Sequence, residues 1–214
     1  MTRRLTSVTA SPARLGDAGA GPPLVVLIGP PGSGKGTQCE RLGEQFGLAH
    51  VSAGDALRDA VRRGSRLGEQ ARGFVDAGRL VPDELVIEVV TEHMGGVGDA
   101  SSVVLDGFPR TVAQAETLDR LRPGGVRLAI VLVVPTLTVL RRLAWRGRTD
   151  DRPEVLRARL ASYERDTRPL LSWFAARGML QRADGNQRHA AVTAALLDLV
   201  EGVGIVTAPA LECC

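Results

Sequence analysis

The sequence has few aromatic residues and almost no lysine. Aromatic side chains make up 3% of the 214 residues, so a core must be built mainly from Leu, Val, Ile and Ala, and stacking platforms for single-stranded nucleic acid are scarce. Of the 27 basic residues, Lys35 is the one lysine and the other 26 are arginine. This pattern indicates a position that needs a compact ammonium, for which a planar guanidinium is a poor substitute.

Charge, hydropathy and cysteine spacing exclude several classes of protein. The net charge is +3, and basic residues alternate with acidic ones, so we expect no nucleic acid partner. The longest apolar run, residues 128–134, is far too short to span a membrane. Cys39, Cys213 and Cys214 have neither disulfide nor metal-ligand spacing, which favours inert thiols in a reducing compartment.

The N-terminal residues 1–23 have no apolar stretch of signal-peptide length. We interpret them as a disordered tail or as a start assigned too early, and residues 204–214 as a C-terminal tail. A single domain is expected over residues 24–203, because 214 residues suit one domain. We expect the protein to be cytoplasmic.

Short Val/Ile/Leu-rich runs alternate with longer helical patterns, which is typical of parallel strands joined by crossover helices. The predicted strands are residues 24–28, 48–51, 103–105, 128–134 and 179–182. This order predicts an α/β fold with a five-stranded, doubly wound parallel sheet. Ligands in such sheets bind at the carboxyl ends of the strands.

The segment GPPGSGKGTQ, residues 29–38, directly follows the first predicted strand and opens a predicted helix over 35–46. Gly29, Gly34 and Lys35 have the spacing of a phosphate-binding loop, in which backbone amides and the helix N-terminus bind phosphate oxygens. The residue after the lysine is normally Ser or Thr, but here it is Gly36, and the hydroxyl comes one position later at Thr37.

Two further segments carry groups suited to phosphate chemistry. In DGFPR, Asp106 ends a buried strand, where a carboxylate can orient magnesium-bound water, and Arg110 can hold a second phosphate. Between Gly147 and Pro153 lies a short polar loop within an arginine-rich stretch. Gly and Pro at its two ends suit the hinges of a mobile lid, and the nearby arginines suit phosphoryl transfer, which needs cations around the transferred group. The loop is therefore predicted to act as a hinged lid.

The loop resembles that of the adenylate kinases and their nucleoside monophosphate kinase relatives. Five more segments resemble theirs, in the same order: HVSAGDALR, AGRLVPDELV, LDGFPRTVAQAE, RGRTDD and ARLASYERDTRPLL. The resemblance covers residues 24–203 and implies a fold of the P-loop NTPase type, with a helical AMP-binding insert at about 52–81 and a short lid at about 146–152. In that family Gly36 is normal, and Mg²⁺ is held mostly by ATP phosphates and waters.

The resemblance implies transfer of a phosphoryl group from MgATP to AMP, giving two ADP, by a monomer. The implied catalytic residues are Lys35, Asp106, Arg110, Arg148 and Arg159. The implied ATP site comprises Gly32, Ser33, Gly34, Lys35, Gly36, Thr37, Arg142, Arg146 and Gly185. The implied AMP site comprises Ala53, Arg58, Arg79, Leu80, Val81, Gly107, Phe108, Pro109, Arg110, Gln114, Arg148 and Arg159. Asp150 and Asp151 match the paired lid aspartates, and the brief lid has no place for the four zinc ligands of longer-lid relatives, so no zinc is expected.

Two positions give opposite indications about the acceptor. Ala53 stands where adenylate kinases usually have Thr and is the form of the UMP/CMP branch, whereas Gln114 matches the adenylate kinases. We predict AMP as the best acceptor, with a UMP/CMP kinase as the alternative. A nucleotide-binding switch is the alternative from another class, but the sequence has no N-K-x-D motif and a switch would leave Arg58, Arg110 and Gln114 without a role.

Overall fold

The computed structural model describes residues 23–96, 102–121, 124–146 and 152–205. Within these ranges five strands form one parallel sheet: β1 Leu24–Ile28, β2 Ala49–Ser52, β3 Val103–Asp106, β4 Val126–Val133 and β5 Leu180–Asp184. Their order across the sheet is β2-β3-β1-β4-β5. The chain therefore moves to opposite sides of β1, and the carboxyl end of β1 is the switch point at which such sheets bind ligands. The predicted α/β fold class is confirmed.

Helices cover both faces of the sheet. They are α1 Lys35–Phe46, α2 Ala53–Arg63, α3 Arg66–Asp76, α4 Asp83–Gly95, α5 Val112–Leu121, α6 Thr136–Arg146, α7 Pro153–Ser162, α8 Arg168–Ala176 and α9 His189–Gly202. A π-helical turn, Tyr163–Thr167, joins α7 to α8. Every residue of β1 is buried, which explains why its sequence is a continuous apolar run.

The two faces of the sheet form separate parts of the core. On one face, Val25 and Leu27 pack with Leu42 of α1 and Leu196 of α9. On the other, Val26 packs among residues that include Phe174 of α8. Alternate residues of β1 thus serve opposite layers, which is the side-chain period of a strand.

Four of the five strands differ from their predicted bounds by one or two residues at one end or both, and β3 extends one residue further than predicted, to Asp106. Strand β4 begins at Val126, two residues before the predicted start, because a register irregularity between Leu24 and Val25 accommodates Arg127. Strand β5 begins at Leu180 and continues to Asp184, which pairs with Val133. Strand β2 is shifted by one residue, to Ala49–Ser52. Pairing with neighbouring strands, which local hydropathy does not report, sets these ends.

Helices α2 and α3 follow β2 in the chain, and a very tight turn joins them. Gly64 ends α2 in the left-handed conformation, with φ of 62°. The Ser65 side chain then accepts a hydrogen bond from the Gly68 amide and begins α3. Gly68 lies so near α2 that a Cβ there would be 2.0 Å from the Ala60 carbonyl oxygen. The proposed insert at about 52–81 includes this helix pair.

None of the helices in the described part of the chain is long and apolar enough to cross a bilayer.

Candidate active site

The loop between β1 and α1 has the backbone of an anion-binding turn. Gly32 and Gly34 have φ angles of 80° and 98°, and Gly34 precedes the first residue of α1 without a side-chain cap. The first amides of a helix have no partner within it and carry partial positive charge. A Cβ on Gly32 would lie 2.8 Å from Leu143 Cγ, so α6 packs directly against the loop.

Lys35 folds over this loop. Its ammonium donates to the carbonyl oxygens of Gly29, at 2.7 Å, and Pro30, at 3.1 Å, and to Ser33 Oγ at 3.4 Å. The charge is thus held by loop oxygens at the place where phosphate oxygens are expected. A flexible lysine stem can exchange these contacts for phosphate, since its three donors rotate freely about a single atom.

Gly36, where the usual loop pattern has a hydroxyl, lies beside the carboxylate of Asp106. A Cβ on Gly36 would lie 3.4 Å from Asp106 Oδ2, so the carboxylate at the end of β3 faces the residue where other phosphate loops carry Ser or Thr. The parallel register pairs Asp106 with Leu27 and brings it beside the loop. A carboxylate next to a phosphate site fits Mg²⁺, which takes one or two carboxylates together with substrate oxygens and water. Among the described residues there is no cluster of three or more His, Cys, Asp or Glu that could hold a metal ion by itself.

Arg110 brings positive charge to the same edge of the sheet. Its Nε donates to the Gly107 carbonyl at 2.8 Å. Burial lowers the pKa of the Arg110 guanidinium; Asp106 raises it, and the nearby charges of Arg159 and Arg58 lower it further. The fold therefore brings Arg58 and Arg159, from two other segments, within electrostatic range of Arg110, and such an arginine cluster favours an anion.

Arg58, on α2, is one third exposed and donates to Asp55 Oδ1 at 2.5 Å. The segment after α3 approaches α7: a Cβ on Gly78 would lie 2.7 Å from Val155 Cγ1 and 3.3 Å from Arg159 Cγ. The Arg79 guanidinium lies over the Phe74 ring, 5.3 Å from its centre. Gly78 is therefore close to Arg159, whereas the Arg79 side chain contacts α3.

Gln114 is almost fully buried, with 1% of its surface exposed. Its Oε1 accepts from the Arg110 amide at 2.7 Å, and its Nε2 donates to Asp83 Oδ1 at 2.6 Å. Thr111 Oγ1 donates to the other carboxylate oxygen of Asp83 at 2.9 Å. This pairing of α4 with α5 was not predicted. Its one sequence signal is an acidic residue in the first turn of a helix, which is usually no more than a favourable charge at the helix end.

On the other side of the loop, Arg142 connects the phosphate loop to the segment after β5. Its guanidinium donates to the Ser33 carbonyl at 3.1 Å and to the Gly185 carbonyl at 2.9 Å. A small cleft lies here, lined by Ser33, Gly34, Gln38, Arg142, Gly185, Gln187, His189 and Val192. The structure thus brings together Arg142 and Gly185, which were predicted for one site, and adds side chains of α1 and α9.

Ala53 and Val81 are buried, as are Phe108 and Val131 of the same core cluster. Of the remaining predicted residues, Thr37 lies in the first turn of α1, and the others fall in two groups. Leu80, Gly107 and Pro109 lie in the loops that follow α3 and β3. Arg148, Asp150 and Asp151, the side chain of Arg146, and Cys213 and Cys214 lie outside the described residues.

Comparison with known proteins gives one consistent result. The family model described as adenylate kinase matches residues 27–179. The adenylate kinase of Thermus thermophilus is 45% identical over 183 residues, which are 80% of this chain and 96% of that protein. The adenylate kinase of Phocaeicola vulgatus is 40% identical, over 83% of this chain and 97% of its own length. Adenylate kinase 1 of Synechocystis is 42% identical, over 83% and 96%.

Proposed function

The chain belongs to the adenylate kinase family, and we propose that it transfers the terminal phosphoryl group of MgATP to AMP, reversibly, to give two ADP. The proposal rests on two cationic sites that follow two neighbouring strands of the sheet, β1 and β3. Lys35 lies in the phosphate loop after β1, and Arg110, with Arg58 and Arg159 within electrostatic range, follows β3. One site suits the donor phosphates and the other the acceptor phosphate.

The reaction joins a phosphate oxygen of AMP to the terminal phosphorus of ATP and breaks the bond to the bridging oxygen, which leaves with ADP. The AMP phosphate is already an anion at neutral pH, so the attacking oxygen needs no general base. The protein contributes position and positive charge for the equatorial oxygens. We assign this stabilisation to Lys35, Arg110 and Arg159, together with Arg148 of the lid.

Asp106 is the residue we propose to orient the magnesium-bound water of MgATP. The metal, when it arrives with ATP, neutralises charge on the phosphates. Gly36 places no side chain between the loop and Asp106, whose Oδ2 would be in van der Waals contact with a Cβ at this position, at 3.4 Å. Removal of Mg²⁺ with a chelator should therefore abolish turnover while leaving the fold intact.

For the donor, we propose that the amides of residues 32–37 hold the phosphates and that Arg142, Arg146 and Gly185 contact the nucleoside. The support is local: Arg142 already bridges the loop and Gly185. A lid at about 146–152 would exclude water, which competes as a phosphate acceptor. The expected monomer, the cytoplasmic location and the absence of nucleic acid, membrane and zinc remain predictions.

For the acceptor, we propose AMP over CMP and UMP by ~10-fold to 10³-fold, from contacts worth roughly 1 to 4 kcal/mol. Ala53 gives the base pocket a smaller and less polar wall than Thr would, while Gln114 provides an amide. The relatives described above are all named adenylate kinase, which favours AMP and gives the UMP/CMP alternative no support.

The experiment is a coupled assay of ADP release with AMP, CMP, UMP, GMP and dAMP as acceptors. Two arginines of α2 make a matched pair: Arg58 is one third exposed, whereas Arg62 is 79% exposed and pairs with Asp59. Arg58→Ala should raise the KM for AMP ~10-fold or more, because a charged hydrogen bond to phosphate is lost. Arg62→Ala should leave it within about twofold, since exposed ion pairs contribute little. Equal effects of both variants, or a preference for CMP or UMP in the unmodified enzyme, would contradict the proposal.

A further inference from the structure

The amide of Gln114 is held by two partners of opposite hydrogen-bonding character. The Arg110 backbone amide donates to Oε1 at 2.7 Å, and the Asp83 carboxylate accepts from Nε2 at 2.6 Å. A backbone N–H can only donate, and a carboxylate oxygen without a proton can only accept. Turning the amide by half a rotation would set donor against donor and acceptor against acceptor.

Burial makes this orientation costly to change. Gln114 is 1% exposed, so water has little access to replace either partner if the amide turns. A buried polar group that loses its partner incurs its desolvation penalty, and the penalty is larger when the partner is charged. The orientation of the amide is thus set before any acceptor binds.

We propose that Asp83 is a positioning residue for acceptor choice. It fixes the Gln114 amide so that the base meets one free Oε1 lone pair and one free Nε2 hydrogen in a set order. This inference rests on the proposed contact between Gln114 and the acceptor base. It goes beyond that contact, because it assigns selectivity to a carboxylate that approaches the base only through Gln114.

The fixed amide favours a base that has an exocyclic amino group beside a ring acceptor. Adenine and cytosine both present this pair. Hypoxanthine and uracil present a carbonyl beside a ring N–H, which reverses both hydrogen bonds. AMP against IMP, and CMP against UMP, are therefore two comparisons at nearly constant size, and in each the amino base should be the better acceptor.

A purely structural role for Asp83 makes a different prediction. Asp83 is in the first turn of α4 and also accepts a hydrogen bond from Thr111, just before α5. Its loss would destabilise both helix ends and lower the melting temperature. Such destabilisation would lower the kcat/KM of all four acceptors together and would leave the ratio of amino to oxo base unchanged.

The chain offers matched controls. Glu84 is the neighbouring acidic residue in the first turn of α4 and is exposed, so Glu84→Ala removes one negative charge from the same helix end without touching Gln114. Thr111→Val removes the second hydrogen bond of Asp83, as well as the one that Thr111 Oγ1 accepts from the Gln114 backbone amide, but neither contact of the Gln114 side-chain amide.

The test measures kcat/KM for AMP, IMP, CMP and UMP with saturating MgATP. The unmodified enzyme should prefer AMP to IMP by ~10² or more, the scale of rejection by a polar site with reversed partners. Asp83→Ala should lower that ratio about tenfold, and should lower the CMP to UMP ratio in the same direction. Asp83→Asn keeps a neutral acceptor and should give an intermediate ratio. Both controls should keep the ratios of the unmodified enzyme, even if Thr111→Val melts at a lower temperature.

Gln114→Ala separates this inference from the proposed function. If Gln114→Ala lowers the AMP to IMP ratio and Asp83→Ala does not, the Asp83 inference is overturned and the base contact stands. If Gln114→Ala leaves the ratio unchanged, both are overturned, although the kinase reaction stands. If Asp83→Ala does not fold, the unmodified enzyme and Asp83→Asn still decide: a similar rate with AMP and IMP in the unmodified enzyme overturns the inference.

Discussion

The contact between α2 and α3 leads to a prediction of both stability and acceptor binding. A Cβ on Gly68 would lie 2.0 Å from the Ala60 carbonyl oxygen and 2.6 Å from the Val61 amide nitrogen. Both atoms belong to the backbone of α2, so no side-chain rotation can relieve the overlap. Gly68→Ala must therefore push the two helices apart.

The magnitude follows from this geometry. Ordinary contact begins at 3.4 Å, so the helices must separate by about 1.4 Å at this point, the difference between 3.4 and 2.0 Å. Overpacking in a well-packed site costs ~1 to 3 kcal/mol, and a clash with backbone belongs at the upper end. For a chain of this size, a loss of about 3 kcal/mol lowers the melting temperature by roughly 6 to 12 °C.

Gly73 provides the control on the same helix. A Cβ there would meet nothing within 4 Å. Alanine is preferred to glycine in a helix interior by ~0.5 to 1 kcal/mol, so Gly73→Ala should raise the melting temperature by roughly 1 to 4 °C. The same substitution on one helix should thus act in opposite directions, as measured by thermal unfolding followed by circular dichroism.

The kinetic part of this prediction follows from the position of Arg58 on α2. Displacement of α2 changes the position of Arg58 relative to Arg110. Because we propose that Arg58 binds the acceptor phosphate and not the donor, Gly68→Ala should raise the KM for AMP several-fold. The KM for ATP should change little. Gly68→Ala with the melting temperature and AMP KM of the unmodified enzyme would refute the reasoning, and so would equal destabilisation by Gly73→Ala.

Two further predictions concern the phosphate loop and the helix after it. Lys35→Arg should preserve the melting temperature and lower kcat by ~10² or more, the scale of one lost charge stabiliser; near-normal turnover in a coupled assay would contradict the role given to Lys35. Burial raises the pKa of Cys39 well above 9.0, as does the charge of Asp106, against the opposing effect of Lys35. The folded thiol therefore stays protonated at a pH at which the unfolded one ionises. The free energy of unfolding should fall above about pH 9, by up to ~1.4 kcal/mol per pH unit. Urea unfolding at pH 8 to 10 should show a smaller loss in Cys39→Ala, and identical slopes would count against this assignment.

The sequence predicted single residues of the proposed acceptor site but not the contacts between them. The sequence indicated Gln114 as a hydrogen-bonding group, because its segment resembles one in adenylate kinases. It gave no sign that Asp83, 31 positions earlier, accepts from that amide, because the pairing depends on how α4 packs against α5. Arg110 was likewise predicted to bind a phosphate, but its proximity to Arg58 and Arg159 comes from three chain segments meeting at one sheet edge.

The sequence by itself determined the features that depend on neighbouring residues. The strand Leu24–Ile28 was predicted to the residue, and a helix was expected from about Lys35 to Phe46, where it lies. Both depend on hydropathy and helix propensity, which are local properties. Tertiary structure decided that Asp106 faces Gly36. That contact joins residues 70 positions apart, and it exists because parallel pairing aligns β3 with β1 and brings their carboxyl ends together.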